Sequence, residues 1–112
     1  MRTTKAINLS FINSKNTSAF INVPFEVREI RCINSVYHSS ASSGHNVGVL
    51  KSTLTQNEPL TLFHQDKDFV IPNNIVTYEL RNPQQINGDF DFSISIDPVG
   101  TDNIILLLEF IG

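Results

Sequence analysis

The sequence predicts an all-β fold: a single antiparallel β-sandwich of about eight strands, jelly-roll-like, occupying residues 1–112 as one domain. Three observations point there. Apolar and polar residues alternate with period 2, most regularly at residues 90–96, where Phe90, Phe92, Ile94 and Ile96 alternate with Asp91, Ser93 and Ser95. Turn-forming pairs such as Asn82-Pro83, Asn87-Gly88 and Asp97-Pro98 separate the apolar stretches at intervals of about ten residues. No stretch carries a helical apolar period with caps at its ends. Strand number alone fits another sandwich topology as well as a jelly roll.

Each element has a local reason. In residues 5–13, Ile7, Leu9 and Phe11 alternate with Asn8 and Ser10, the pattern of a half-buried strand, and residues 13–17 form a turn. Residues 18–23 are a short strand. Pro24 marks its junction with a long β-rich run at 24–37, PFEVREIRCINSVY, because proline donates no ladder hydrogen bond. Along this run the apolar positions change parity, from Phe25 and Val27 to Ile30, Cys32 and Val36. A residue inserted near Arg28-Glu29 accounts for the change, turning those five side chains to one core and Glu26, Arg28 or Glu29, Arg31, Ser35 and Tyr37 outward. A run of this length bends or serves two neighbours in succession.

Residues 38–46 are small and polar and read as a surface loop. Strands are expected at 47–54 and at 59–64, with a turn between them and a charged turn at 65–68. Residues 69–74 combine a short extended piece with Pro72-Asn73-Asn74 before a strand at 75–81, where Val76, Tyr78 and Leu80 share a face. Residues 82–85 close that strand, and the strand at 90–96 follows. The last strand, 104–111, reads Ile-Ile-Leu-Leu-Leu-Glu-Phe-Ile and is apolar on both faces, so it is expected at the centre of a sheet or under another chain.

A chain of 112 residues, 40% hydrophobic, suffices for one core that buries about two-thirds of the unfolded surface. Its net charge of −3 is scattered, without the basic stripe that neutralises phosphates, so direct nucleic-acid binding is not expected. Cys32 is the single cysteine and is read as a buried structural thiol. The first residues lack the uninterrupted apolar core of a signal peptide, which predicts a chain not secreted by that route. The longest strictly apolar run, residues 104–108, is far short of the roughly 18 residues of a membrane helix.

Catalytic and metal signatures are weak. No His-x-His pair joins His38, His45 and His64, and the first two flank a flexible loop. His64, Asp66 and Asp68 could supply metal ligands, but Lys67 interrupts the set. No serine or cysteine stands in a nucleophile elbow, and no glycine loop opens a helix to cradle phosphate. Asp89 and Asp91 share a strand face, yet that face reads as a solvated one. Neither enzymatic activity, a cofactor nor a small-molecule substrate is therefore expected.

The order VPFEVREIRCINSVY, a small-residue loop, GVLKSTLTQNEPL, YELRNPQQINGDFDFSI and a closing strand with LLLEF resembles small β-sandwich structural proteins of large DNA viruses and their relatives. That resemblance implies a jelly roll acting as a minor capsid component, located in the virion and made in the host cytoplasm, with other copies of itself or other capsid proteins as partners. The residues agree in suggesting surplus apolar surface that a symmetric assembly could cover. Ile33, Tyr37, Ile105, Leu107 and Phe110 are the expected contact residues. The alternative is a carbohydrate- or ligand-binding module using Tyr37, His38 and His45, with Tyr37 as an exposed stacking platform.

Overall fold

The computed structural model describes residues 1–39, 48–55, 60–65, 76–98 and 100–112, with the side chains of residues 39, 63–65 and 76 outside the description. Eight strands are placed: β1 (Arg2–Ile12), β2 (Asn16–Asn22), β3 (Val27–Ser39), β4 (Gly48–Ser52), β5 (Leu60–Gln65), β6 (Val76–Gln84), β7 (Asn87–Ile94) and β8 (Thr101–Ile111). They form two antiparallel sheets. Sheet A has the order β1-β8-β3-β6 and sheet B the order β2-β7-β4-β5. The pairs β1/β8, β2/β7, β3/β6 and β4/β5 nest inside one another like one long hairpin, and rolling that hairpin sets β8 beside β3 and β7 beside β4. This connectivity is the jelly roll.

The core lies between the sheets. Sheet A contributes Ile7, Leu9, Phe11, Val27, Ile30, Cys32, Ile104, Leu106, Leu108 and Phe110, and sheet B contributes Ile21, Leu50, Leu60, Leu62, Phe92 and Ile94. Each set follows strand parity, so the alternation of apolar residues and the burial of one sheet face have the same cause. β8 lies between β1 and β3, as its two apolar faces predict.

The long run at 24–37 divides in two. Residues 24–26 carry the chain from sheet B to sheet A, and the strand begins at Val27. Its register against β6 shifts between Val27 and Glu29, which places the predicted parity change where Val27 and Ile30 are both buried. The extra residues there belong to β6: four of them, 80–83, lie opposite Arg28 alone. A second shift, against β8 between Cys32 and Asn34, adds Ile33 to β3. This second insertion reverses the parity again. Val36, expected in the core, is 51% exposed, whereas Tyr37, expected outside, is partly buried and packed against the core.

Several strand ends differ from expectation, and β8 begins at Thr101, three residues early. β1 begins three residues early because Arg2, Thr3 and Thr4 are held opposite Ile111, Phe110 and Glu109. β6 continues through Pro83, which an edge strand tolerates because one of its sides needs no ladder donors. β7 stops at Ile94, so Ile96 is exposed rather than inward. β3 runs on through residues 38 and 39, the first two of the expected small-residue loop; the rest of that loop with His45, the extended piece at 69–74, and Asp66 and Asp68 lie outside the described residues. Among the described residues no helix is long and apolar enough to cross a membrane.

Candidate functional site

The outer face of sheet A carries the most distinctive surface. On β8 the even residues Asp102, Ile104, Leu106, Leu108 and Phe110 are buried, which leaves Thr101, Asn103, Ile105, Leu107, Glu109 and Ile111 facing outward. Ile105 is 43% exposed and stands opposite Val36 on one side and Asn8 on the other. Leu107 lies between Ala6 and Asn34, beside the inserted Ile33. Ile12, 62% exposed, closes the end of β1. Of the expected contact residues, Ile33, Ile105 and Leu107 therefore occupy this region. Phe110 does not: it is fully buried, since it shares the parity of Leu106 and Leu108.

One end of the same face is charged. Glu109 lies opposite Thr4 and Arg31, and its carboxylate reaches Arg2 Nε at 3.9 Å and an Arg31 terminal nitrogen at 3.7 Å. Arg31 Nε also donates to Glu29 Oε1 at 3.0 Å. Positive and negative groups thus alternate from β1 across β8 to β3. At the other end Ser10 Oγ donates to Asn103 Oδ1 at 2.8 Å and His38 is exposed beside Asn103. The apolar patch is bordered by polar groups at both ends.

Inside the sandwich, the Tyr37 hydroxyl donates to Asp102 Oδ1 at 2.8 Å, and Asp102 is fully buried. This pair was not foreseen. Asp102 lies two residues before Ile104 and shares its buried parity, which the register of β8 and not the local sequence decides. The pairing removes Tyr37 from service as an outward ring, and it separates Tyr37 from its neighbour His38, which projects from the opposite face of β3. Tyr37 and His38 do not converge on one surface.

An open cleft of about 490 Å³ lies where the border strands β5 and β6 face each other, lined among others by Thr55, Leu60, Tyr78, Leu80, Arg81 and Gln84. Cys32, on β3 beside β6, is buried and its thiol is pushed up to about 11 by that burial, so it stays protonated at neutral pH. Burial also raises Tyr78, with Cys32 adding to the shift. These groups favour their neutral forms. Asp89 and Asp91 stand exposed on the outer face of sheet B, where Asp91 is engaged through its backbone with Thr53. Among the described residues no group of three or more histidine, cysteine, aspartate or glutamate side chains is placed to hold a metal ion.

No family model matches the chain, and no curated protein or solved structure matches it significantly.

Proposed function

We propose that the protein is a non-enzymatic structural subunit that works through contacts of the outer face of sheet A within a symmetric assembly, as minor capsid components of virus particles do. One observation carries this reading: Val36 and Ile105, 51% and 43% exposed, stand directly opposite each other on the two central strands of a sheet whose other face is already filled. Sheet centres are where burial is easiest, and an exposed apolar pair there is surface left for a partner. Covering such side chains is worth up to about 1.5–3 kcal/mol each. The flanking charges on Arg2, Glu109, Arg31 and Glu29 supply a polar border, the usual arrangement around a contact patch. The jelly roll hosts capsid subunits, lectins and enzymes alike, so the fold supports this reading only by analogy.

The test is the assembly state of Ile105→Glu and Val36→Glu against the wild type, by light scattering over a wide concentration range and by recovery in native assemblies. Loss of association with retained strand content supports the reading. Association unchanged in both variants overturns it.

A further inference from the structure

β1 borders sheet A, with β8 on one side and no strand on the other among the described residues. The destination of its backbone groups follows from the ladder ends. Asn13 N–H donates to the Gly100 carbonyl at 3.1 Å, and Gly112 N–H donates to the Met1 carbonyl at 2.8 Å. These two pairs continue the register that sets Arg2 opposite Ile111 and Ile12 opposite Thr101. Hydrogen-bonded positions alternate along an antiparallel pair, so the odd residues of β1 exchange bonds with β8. The even residues, Arg2, Thr4, Ala6, Asn8, Ser10 and Ile12, direct their N–H and C=O groups to the open border. All six are exposed.

Apart from the charges of Arg2 and Lys5, this border lacks the devices that usually blunt one. The other border of sheet A, β6, contains Pro83 and an irregular register against β3. β1 has no proline, and its register against β8 runs without a shift over 11 residues, about 36 Å of regular strand. A straight row of unpaired backbone groups is a template for another strand.

We propose that β1 pairs antiparallel with β1 of a second copy, about a two-fold axis at Ile7, joining two copies of sheet A into one continuous sheet. The proposal rests on the assembly reading above and names its partner. The charges of the strand favour a second copy in this orientation. Arg2 and Lys5 are the charged residues of β1, and both lie in its first half. Parallel pairing sets them beside their counterparts, whereas the antiparallel register centred on Ile7 sets Arg2 opposite Ile12 and Lys5 opposite Leu9 of the partner subunit. The two lysines then stand about 13 Å apart along the strands. The same register engages all six outward residues at once. It also places Ile7 beside Ile7 and Thr4 beside Ser10 of the partner subunit, a β-branched pair and a hydroxyl pair of the kinds that stabilise neighbouring strands.

The experiment is residue-resolved amide exchange of the full chain by NMR at high and low protein concentration, alongside sedimentation. Sedimentation should report a dimer at high concentration. The amides of Thr4, Ala6, Asn8, Ser10 and Ile12 should then exchange more slowly by about tenfold or more than after dilution to monomer, while those of Ile7, Leu9 and Phe11 stay slow in both. Asn8→Pro deletes a donor that β8 does not use, so it should abolish the dimer while leaving the exchange of Ile104 and Leu106 unchanged. A dimer whose even-numbered β1 amides exchange fast, and which Ile105→Glu disrupts, overturns the border pairing but leaves the face-contact reading intact. A chain that stays monomeric at all concentrations, or protects these amides only with a different protein, overturns the second copy as partner.

Discussion

The Tyr37 phenol and the Asp102 carboxylate, 65 residues apart in sequence, meet at 2.8 Å inside the sandwich, joining β3 to the start of β8. A buried carboxylate is costly unless donors surround it, and the Tyr37 hydroxyl is one of the groups that meet this cost. Tyr37→Phe deletes one donor while keeping the ring, and it should cost about 1–3 kcal/mol in urea unfolding at unchanged m. The same substitution in an Asp102→Ala background should cost less, giving a coupling energy of about 0.5–3 kcal/mol. Additive losses would show that the hydroxyl and carboxylate do not depend on each other.

Glu109 sits between Arg2 and Arg31 with its side chain only 15% exposed. Glu109→Gln leaves two guanidinium groups flanking a neutral amide. The loss should be at most about 1 kcal/mol, because the arginines remain solvated. Its signature is ionic strength: the difference from wild type should shrink as salt shortens the screening length below about 8 Å. A difference independent of salt would assign the effect to packing instead.

How far the sequence carried the fold is clearest along β3. The change of parity between Val27 and Ile30 was legible because both residues are apolar and three positions apart, a spacing that a regular strand cannot bury on one side. The second change was not legible. After Ile33 the strand reads Asn34-Ser35-Val36-Tyr37, where Val36 is the more apolar of the two last side chains yet faces out. Tyr37 goes inward because the inserted Ile33 reverses the parity, and its hydroxyl meets Asp102 there, a long-range match that no local pattern contains. The outer face of sheet A was half legible for a similar reason. The two apolar faces of β8 were plain, but which parity faced the core depended on the register with β1 and β3, so Ile105 and Leu107 lie outside and Phe110 inside.

Gly48 adopts φ +69°, and a Cβ there would run into the Ser95 side chain, whose Oγ accepts the Val49 N–H at 2.9 Å. Gly48→Ala therefore imposes a left-handed backbone on an L-residue, at about 1–2 kcal/mol, and displaces a hydrogen-bond acceptor as well. The melting temperature should fall by several degrees, at about 4–8 °C per kcal/mol. Gly88, at φ +147° with nothing within 4 Å of an added Cβ, provides the comparison. Gly88→Ala carries backbone strain without a collision, and at φ +147°, outside the left-handed helical region that L-residues can adopt, that strain alone should destabilise the fold. Ser95→Ala combined with Gly48→Ala separates the collision from the strain.

Cys32 makes the stability of the fold depend on alkaline pH, with a sign fixed by its burial. Its thiol rises from the ordinary value of 9.0 to about 11 in the folded chain, because the low-polarity surroundings disfavour the thiolate. The folded state thus holds this proton more tightly than the unfolded state. The contribution is complete below about pH 9 and is lost progressively as pH rises towards 11. Tyr78 shifts in the same direction and reinforces the decline. Unfolding free energy measured by urea titration should be flat with respect to Cys32 from pH 7 to about 9 and fall above it. Cys32→Val, which retains an apolar side chain at a position 4% exposed, should flatten that alkaline decline. An identical slope in the variant would place the alkaline sensitivity on other groups. The protonated thiol also predicts slow alkylation by iodoacetamide at pH 8 in the folded protein and rapid alkylation in urea, since the reactive species is the thiolate.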